Sequence, residues 1–157
     1  MNASSLSIRS RLLQAVSVGT LVLLLAACSK EAKSKRALKR ADDYFQKGQY
    51  NEAKIEYANV LRLDPKNAPA IKNLGIIWDE QGAPLRALPY LLRTMADTPK
   101  DIEARTRVAT VFLALDARAE AANTAAAILL DQADNARALV LLADAARLPG
   151  EIAQVRE

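Results

Sequence analysis

Few side chains in this sequence could do chemistry. The 157 residues hold no histidine and one cysteine, Cys28, so the commonest general base and metal ligand is missing. A single thiol cannot build a thiolate zinc cluster, nor a disulfide within one chain. Carboxylates adjoin at Asp42-Asp43 and Asp79-Glu80. Neighbours on a helix point about 100° apart, which suits solvated edges better than a shared acid–base site. The 5 glycines make no phosphate-cradling loop. The sequence therefore reads as non-catalytic, with no cofactor and no metal, and Cys28 is left as its one reactive group.

What precedes Cys28 says what that thiol could do. Arg9 and Arg11 sit on a short arm without acids, an apolar run follows from Ala15 to Leu25, and Ala26-Ala27 lead into the cysteine. A basic arm, an apolar stretch and small residues, in that order, make a secretory signal peptide over residues 1–27. The run from Leu12 to Ala27 is shorter than the roughly 20 apolar residues a spanning helix needs and is broken by Gln14, Ser17, Gly19 and Thr20, which disfavours an uncleaved anchor. An exported chain with one unpaired thiol is also unusual.

Leu24-Leu25-Ala26-Ala27-Cys28 resembles the bacterial lipobox. The resemblance implies that the Cys28 sulfur is alkylated with diacylglycerol, the peptide is cut before it and the new amino terminus is acylated. Membrane attachment through lipid on Cys28 is thus expected, with residues 28–33 as a tether. Ser29 stands where inner-membrane lipoproteins of this kind typically carry Asp, so the expected location is the cell envelope, at an outer membrane facing the periplasm.

Composition adds bounds. The formal charge is +4, and without Arg9 and Arg11 there remain 20 basic against 18 acidic residues, a balance that gives no reason to expect nucleic acid. Aromatics are 4% and alanine is abundant, which favours closely packed helices. One local excess stands out: Lys30, Lys33, Lys35, Arg36, Lys39 and Arg40 against Glu31 alone. Near an anionic membrane each such cation can add about 1 kcal/mol of attraction, and the same run also reads as a solvated helix start.

Beyond the tether the sequence repeats. Pro65 and Pro99, Gly48 and Gly82, and Ala53 and Ala87 are each 34 residues apart, and the same step from Ala87 reaches Ala121. That is the period of the tetratricopeptide helix-turn-helix unit, and the chain from Ser34 onward resembles that family. Units are expected at 34–67, 68–101 and 102–135, with a partial unit at 136–157, in an all-α right-handed solenoid. The first unit has Ala37, Ala41, Tyr44, Gly48, Tyr50, Ala53, Tyr57 and Pro65 at signature positions. Ala41 and Ala53 are small where the two helices of a unit touch, Tyr44 and Tyr57 fill the gap to the next unit, Gly48 ends the first helix and Pro65 the second.

The second unit keeps Leu74, Gly75, Trp78, Gly82, Ala87, Leu91 and Pro99 but carries Pro84 and Pro89, so its second helix is expected to begin late or bend. The third keeps Val108, Ala109, Phe112, Ala121 and Ile128, yet has Asp116 in place of the glycine and Ala133 in place of the proline. From Ala136 one more helix runs through Leu139, Leu142, Ala143 and Ala146 to a turn at Leu148-Pro149-Gly150. Glu151–Glu157 are too few for a second helix with a full apolar face. The expectation is a fragment of a longer repeat protein; the alternative is a short final helix that frays or packs against a partner.

The resemblance also places a concave groove lined by the first helix of each unit, where a protein or peptide would bind. Carried over residue by residue, the lining is Lys35, Leu38, Lys39, Asp42, Phe45 and Gln46; then Lys72, Asn73, Ile76, Asp79 and Glu80; then Glu103, Thr106, Arg107, Thr110 and Leu113. The chaperone-binding clamp of this family grips a C-terminal carboxylate with Lys, Asn, Asn, Lys and Arg. The corresponding residues here are Leu38, Asp42, Asn73, Glu103 and Arg107; two of the five match, and the acids at Asp42 and Glu103 would repel a carboxylate, so that role is not expected. The run from Tyr44 to Pro65, soon after the cysteine, resembles the start of tetratricopeptide lipoproteins associated with PEP-CTERM protein sorting and exopolysaccharide export. The expected function is a membrane-tethered scaffold for cell-envelope assembly or export. Type IV pilus assembly lipoproteins, and the recognition arm of a larger enzyme, are the alternatives.

Overall fold

In the computed structural model, residues 30–146 are described and are helical apart from short turns. The expected signal peptide, Cys28 and the turn expected at Leu148-Pro149-Gly150 lie outside the described residues. Helix α1 covers 30–46. It is followed by α2 (Tyr50–Leu63), α3 (Ala68–Glu80), α4 (Pro84–Asp97), α5 (Ile102–Ala114), α6 (Arg118–Asp131) and α7 (Ala136–Ala146). Helices α2, α4 and α6 start and stop in step at the 34-residue period, and so do α3 and α5. None of the described helices is long and apolar enough to cross a membrane.

The same hydrogen bonds close each hairpin turn. Gly48 N–H donates to Phe45 O at 3.0 Å and Gln49 N–H to Tyr44 O at 2.9 Å; Gly82 and Ala83 repeat this onto Asp79 and Trp78, and Asp116 and Ala117 onto Leu113 and Phe112. This paired termination needs a left-handed residue just past the helix. The three residues have φ of 70°, 65° and 58°. Asp116, which the sequence marks as a departure, holds the glycine conformation, one that Asp tolerates better than most residues. Arg118 Nε donates to its carboxylate at 2.8 Å.

The units also begin alike. Asn67 Oδ1 accepts from Ala70 N–H at 3.2 Å, Asp101 Oδ1 from Ala104 N–H at 3.1 Å and Asn135 Oδ1 from Ala138 N–H at 3.0 Å. Each side chain satisfies an otherwise orphaned donor in the first turn, worth about 1 kcal/mol. At the other end α6 stops at Asp131 without the proline that follows α2 and α4, with Gln132 N–H bonded back to Ile128 O at 2.8 Å. The expected late start of α4 is not found, since it begins at Pro84 and runs unbroken past Pro89. Pro84 occupies the first turn, where no N–H is needed. Pro89 leaves the Leu85 carbonyl without its partner, and both residues are exposed, so water can serve it.

The described residues form two compact units that divide between Pro65 and Lys66. In the first, α1 and α2 bury Ala37, Ala41, Ala53, Tyr57 and Val60. The Arg40 guanidinium grips the Glu56 carboxylate with two bonds of 3.0 and 2.8 Å. In the second, α3 packs on α4, α4 on α5, α5 on α6, and α7 on α5 and α6. Leu91 anchors one cluster with Ala87, Val108 and Val111, around which Trp78, Leu92, Met95 and Phe112 pack. Ala109, Ala125 and Leu141 form another.

Candidate functional site

Helices α3 and α5 bring most of the expected second-unit groove residues to one polar face. Lys72 Nζ donates to Asp101 Oδ2 at 3.0 Å and lies 3.4 Å from Glu103 Oε2. Arg107 Nη1 donates to Asp79 Oδ2 at 3.0 Å and Glu80 Oε1 at 3.1 Å, while its Nε reaches Glu103 Oε1 at 3.4 Å. Glu103 thus links the two cations, and four carboxylates surround them. Its neighbour Asp101 has a double task. Burial pushes the Asp101 carboxyl up, but the Ala104 amide and the Lys72 ammonium outweigh burial and hold it below the ordinary aspartate value. The same pairing with Asp101 raises Lys72 above the ordinary lysine value.

Two pockets flank this face. One, of about 370 Å³, is bordered by Pro69, Ile71, Asn73 and Thr94, with Lys72 and Asp101 at its polar side. The other, of about 320 Å³, is bordered by Ile102, Glu103, Thr106, Arg107, Asn135 and Arg137. Asn135 and Arg137 were not among the residues expected from sequence, although stepping 34 residues on from Asp101 and Glu103 reaches them.

The remaining expected residues divide by burial. Ile76 and Thr106 are 8% and 6% exposed, so they support the face from beneath. The Thr106 hydroxyl donates to Ile102 O at 2.7 Å, and the Thr110 hydroxyl to Thr106 O at 2.9 Å, which leaves each oxygen only as an acceptor. In the first unit, Asp42 accepts from the Tyr57 hydroxyl at 2.7 Å. Phe45 packs edge-on to the fully buried Tyr57 at 6.4 Å between centroids and against Tyr50 at 5.8 Å, and Leu38 is half-buried. Asp42 and Phe45 thus brace α1 against α2.

This geometry suits recognition by shape and charge better than proton transfer or metal binding. Arg107 is enclosed by three carboxylates, so a ligand carboxylate would have to displace them. That is a structural reason against the C-terminal carboxylate clamp, beyond the acids at Asp42 and Glu103. Among the described residues no group of three or more Cys, Asp or Glu is placed to hold a metal ion.

No protein-family model matches the sequence, and no curated protein matches it. Solved structures do. The second tetratricopeptide domain of human RPAP3, in complex with the HSP70 peptide SGPTIEEVD, is similar over 76% of this chain and 99% of that one, at 18% identity and a TM-score of 0.64. A tetratricopeptide repeat protein from Parabacteroides merdae is similar over 71% of this chain and 44% of its own, at 21% identity and a TM-score of 0.64. An O-GlcNAc transferase mutant from Thermobaculum terrenum is similar over 74% of this chain and 22% of its own, at 23% identity and a TM-score of 0.59. Likeness at this identity speaks for the fold, and the fold is the tetratricopeptide helix-turn-helix solenoid.

Proposed function

We infer that this tetratricopeptide-fold chain is a non-catalytic scaffold that recognises a protein or peptide partner while tethered by lipid on Cys28 to a bacterial outer membrane. Its setting is the periplasmic assembly of an export or protein-sorting system. The observation that carries the recognition half is the face of Lys72, Asn73, Asp79 and Arg107, a bound-charge strip with a pocket on either side. Such a face can hold an extended segment by seating apolar side chains in the pockets and exchanging hydrogen bonds with the strip. The peptide seen in the human RPAP3 complex supports this use of the fold. The tether half rests on the order of residues from Arg9 to Cys28.

The two halves are tested apart. The mass and membrane partition of the expressed full chain should show a product that begins at Cys28 and carries diacylglycerol plus an acyl group. Cys28→Ser should leave it unprocessed and release it from lipoprotein retention; unchanged processing would sink the tether. For recognition, peptides selected by display on the folded chain should lose affinity at least tenfold with Arg107→Ala, and selection of peptides indifferent to that change would move the site elsewhere. The enzyme-arm alternative is favoured by one observation, the likeness to a 22% stretch of a transferase chain. Reading the gene downstream of the Glu157 codon discriminates: further 34-residue units favour the scaffold, and a histidine-bearing non-repeat domain favours the arm.

A further inference from the structure

The basic run near the start of the described chain builds more than a solvated face. A pocket of about 280 Å³ lies in the first unit, between α1 and the C-terminal end of α2, and its border includes Lys33, Arg36, Arg40 and Arg62. No carboxylate borders it. Arg40 is neutralised by its two bonds to Glu56. Lys33 and Arg36 make no ion pair or hydrogen bond among the described residues, and Arg62 donates to the uncharged Asn59 Oδ1 at 3.3 Å. Three cations without an acid therefore share one concavity, with Ala37 and Leu63 as apolar surface beside them. The end of α2 contributes about half a negative charge, far less than the three positive ones.

We propose that this pocket binds the phosphate of an anionic lipid headgroup and so docks the first hairpin flat against the membrane. Guanidinium groups present forked donors that match phosphate oxygens, and Lys33 adds a point charge. The membrane is the favoured source of the phosphate because of reach, an argument that rests on the tether reading above. Lys33 is five residues past Cys28, and five extended residues span at most about 18 Å. Because α1 already begins at residue 30, a chain held at Cys28 keeps Lys33, at the edge of the pocket, well within that distance of the headgroups. Its apolar edge suits the glycerol backbone better than bulk water.

The test uses the full chain in uncharged maltoside micelles, with arginine side-chain NMR signals as the readout. Dihexanoylphosphatidylglycerol should shift the Arg36 and Arg62 signals saturably, and dihexanoylphosphatidylcholine should do so at least tenfold more weakly. Arg36→Gln with Arg62→Gln should weaken the glycerol lipid at least tenfold, whereas Lys47→Gln, an exposed cation of the same hairpin outside the pocket, should change it less than twofold. Equal losses from both variants would reduce the effect to general charge attraction and overturn the proposal. So would tighter binding of inorganic phosphate or of a phosphoserine peptide than of the lipid, which would assign the pocket a soluble ligand. Both variants alter exposed positions, and an unchanged circular dichroism spectrum checks their fold. None of these readouts requires lipid on Cys28. A failed tether would show in the mass of the membrane-extracted chain, and a failed pocket in the titration.

Discussion

The α3–α4 and α5–α6 hairpins share helix boundaries, turn bonds and capping bonds, yet they fill the crossing between their helices in opposite ways. In α3–α4 the crossing pairs Gly75 with Leu91; one period later, α5–α6 has Ala109 and Ala125. A Cβ added to Gly75 would lie 2.9 Å from Leu91 Cδ2 and 3.1 Å from Tyr90 Cβ, so glycine is what admits the leucine. Ala109 and Ala125 are both fully buried and share a cluster with Leu141. What the repeat preserves is a summed volume across two helices, and no single residue is fixed by it.

The largest way to break that comparison is to remove the leucine. Leu91 is 1% exposed and joins α4 to Val108 and Val111 of α5. Leu91→Ala should cost about 2–5 kcal/mol, because Gly75 opposite leaves nothing to collapse into the space. Ala125→Gly, at the same place in the next hairpin, should cost only about 1 kcal/mol, mostly helix propensity. Urea denaturation followed by circular dichroism reads both, and equal losses would mean that the two crossings are not built differently.

A swap sharpens it further. Ala125→Leu should destabilise α5–α6 by about 1–3 kcal/mol through overpacking. Adding Ala109→Gly re-creates the other hairpin's solution, and the pair should be less damaging than the sum of its members by at least about 0.5 kcal/mol, despite glycine's own helix cost. Additive effects would refute volume exchange across the crossing.

Much of this architecture was legible because the period is written in residues with special backbones. Gly48, Gly82, Pro65 and Pro99 announce turns and helix ends whatever surrounds them. Asp116 and Ala133 looked like decay, because sequence shows the residue type and not the φ that Asp116 adopts or the bond from Gln132 to Ile128 that ends α6. The capping residues Asn67, Asp101 and Asn135 were in view at the same spacing, but as loop letters their role went unread. The groove was legible in outline only. Whether Ile76 faces a ligand or the core, and whether Lys72 finds Asp101, depends on the height at which α5 stacks on α3, which no spacing within one unit specifies. For the same reason a proline in α4 was harmless, since its effect depends on which side of the helix meets water.

The hairpins also differ at their turns, and here the expected effect is smaller and of the opposite sign. Gly82 adopts its φ of 65° freely, whereas Asp116 holds 58° at a steric cost. Asp116→Gly should therefore stabilise the chain by a few tenths to about 1 kcal/mol, even after losing the contact from Arg118. The reverse change, Gly82→Ala, should destabilise by about 1 kcal/mol although no atom lies within 4 Å of the added Cβ, because the cost is in the backbone. A melting temperature lowered by Asp116→Gly would show that the Arg118 pair outweighs the strain.

The smallest effect separates the polar link between the hairpins from the apolar one. Asp101 caps α5 and meets Lys72 of α3, and its carboxyl titrates below the ordinary value of 3.8. A group depressed in the folded state contributes stability that is present above its unfolded value and is lost as pH falls through its folded one. The Lys72 pair should thus contribute in full, without pH dependence, between pH 5 and 8 and begin to fade below about pH 4. Lys72, raised by the same contact, works in the other direction: its contribution is whole below the ordinary lysine value of 10.5 and is lost as pH rises through its higher folded value. Lys72→Met should accordingly cost less than about 1 kcal/mol at pH 7, discounted because the side chain is a third exposed, and progressively less as pH falls below 3.8 or as salt rises to 1 M. If that substitution costs as much at the lowest pH at which the chain stays folded as it does at pH 7, the lysine acts through its aliphatic stem, and the link between α3 and α5 is apolar throughout.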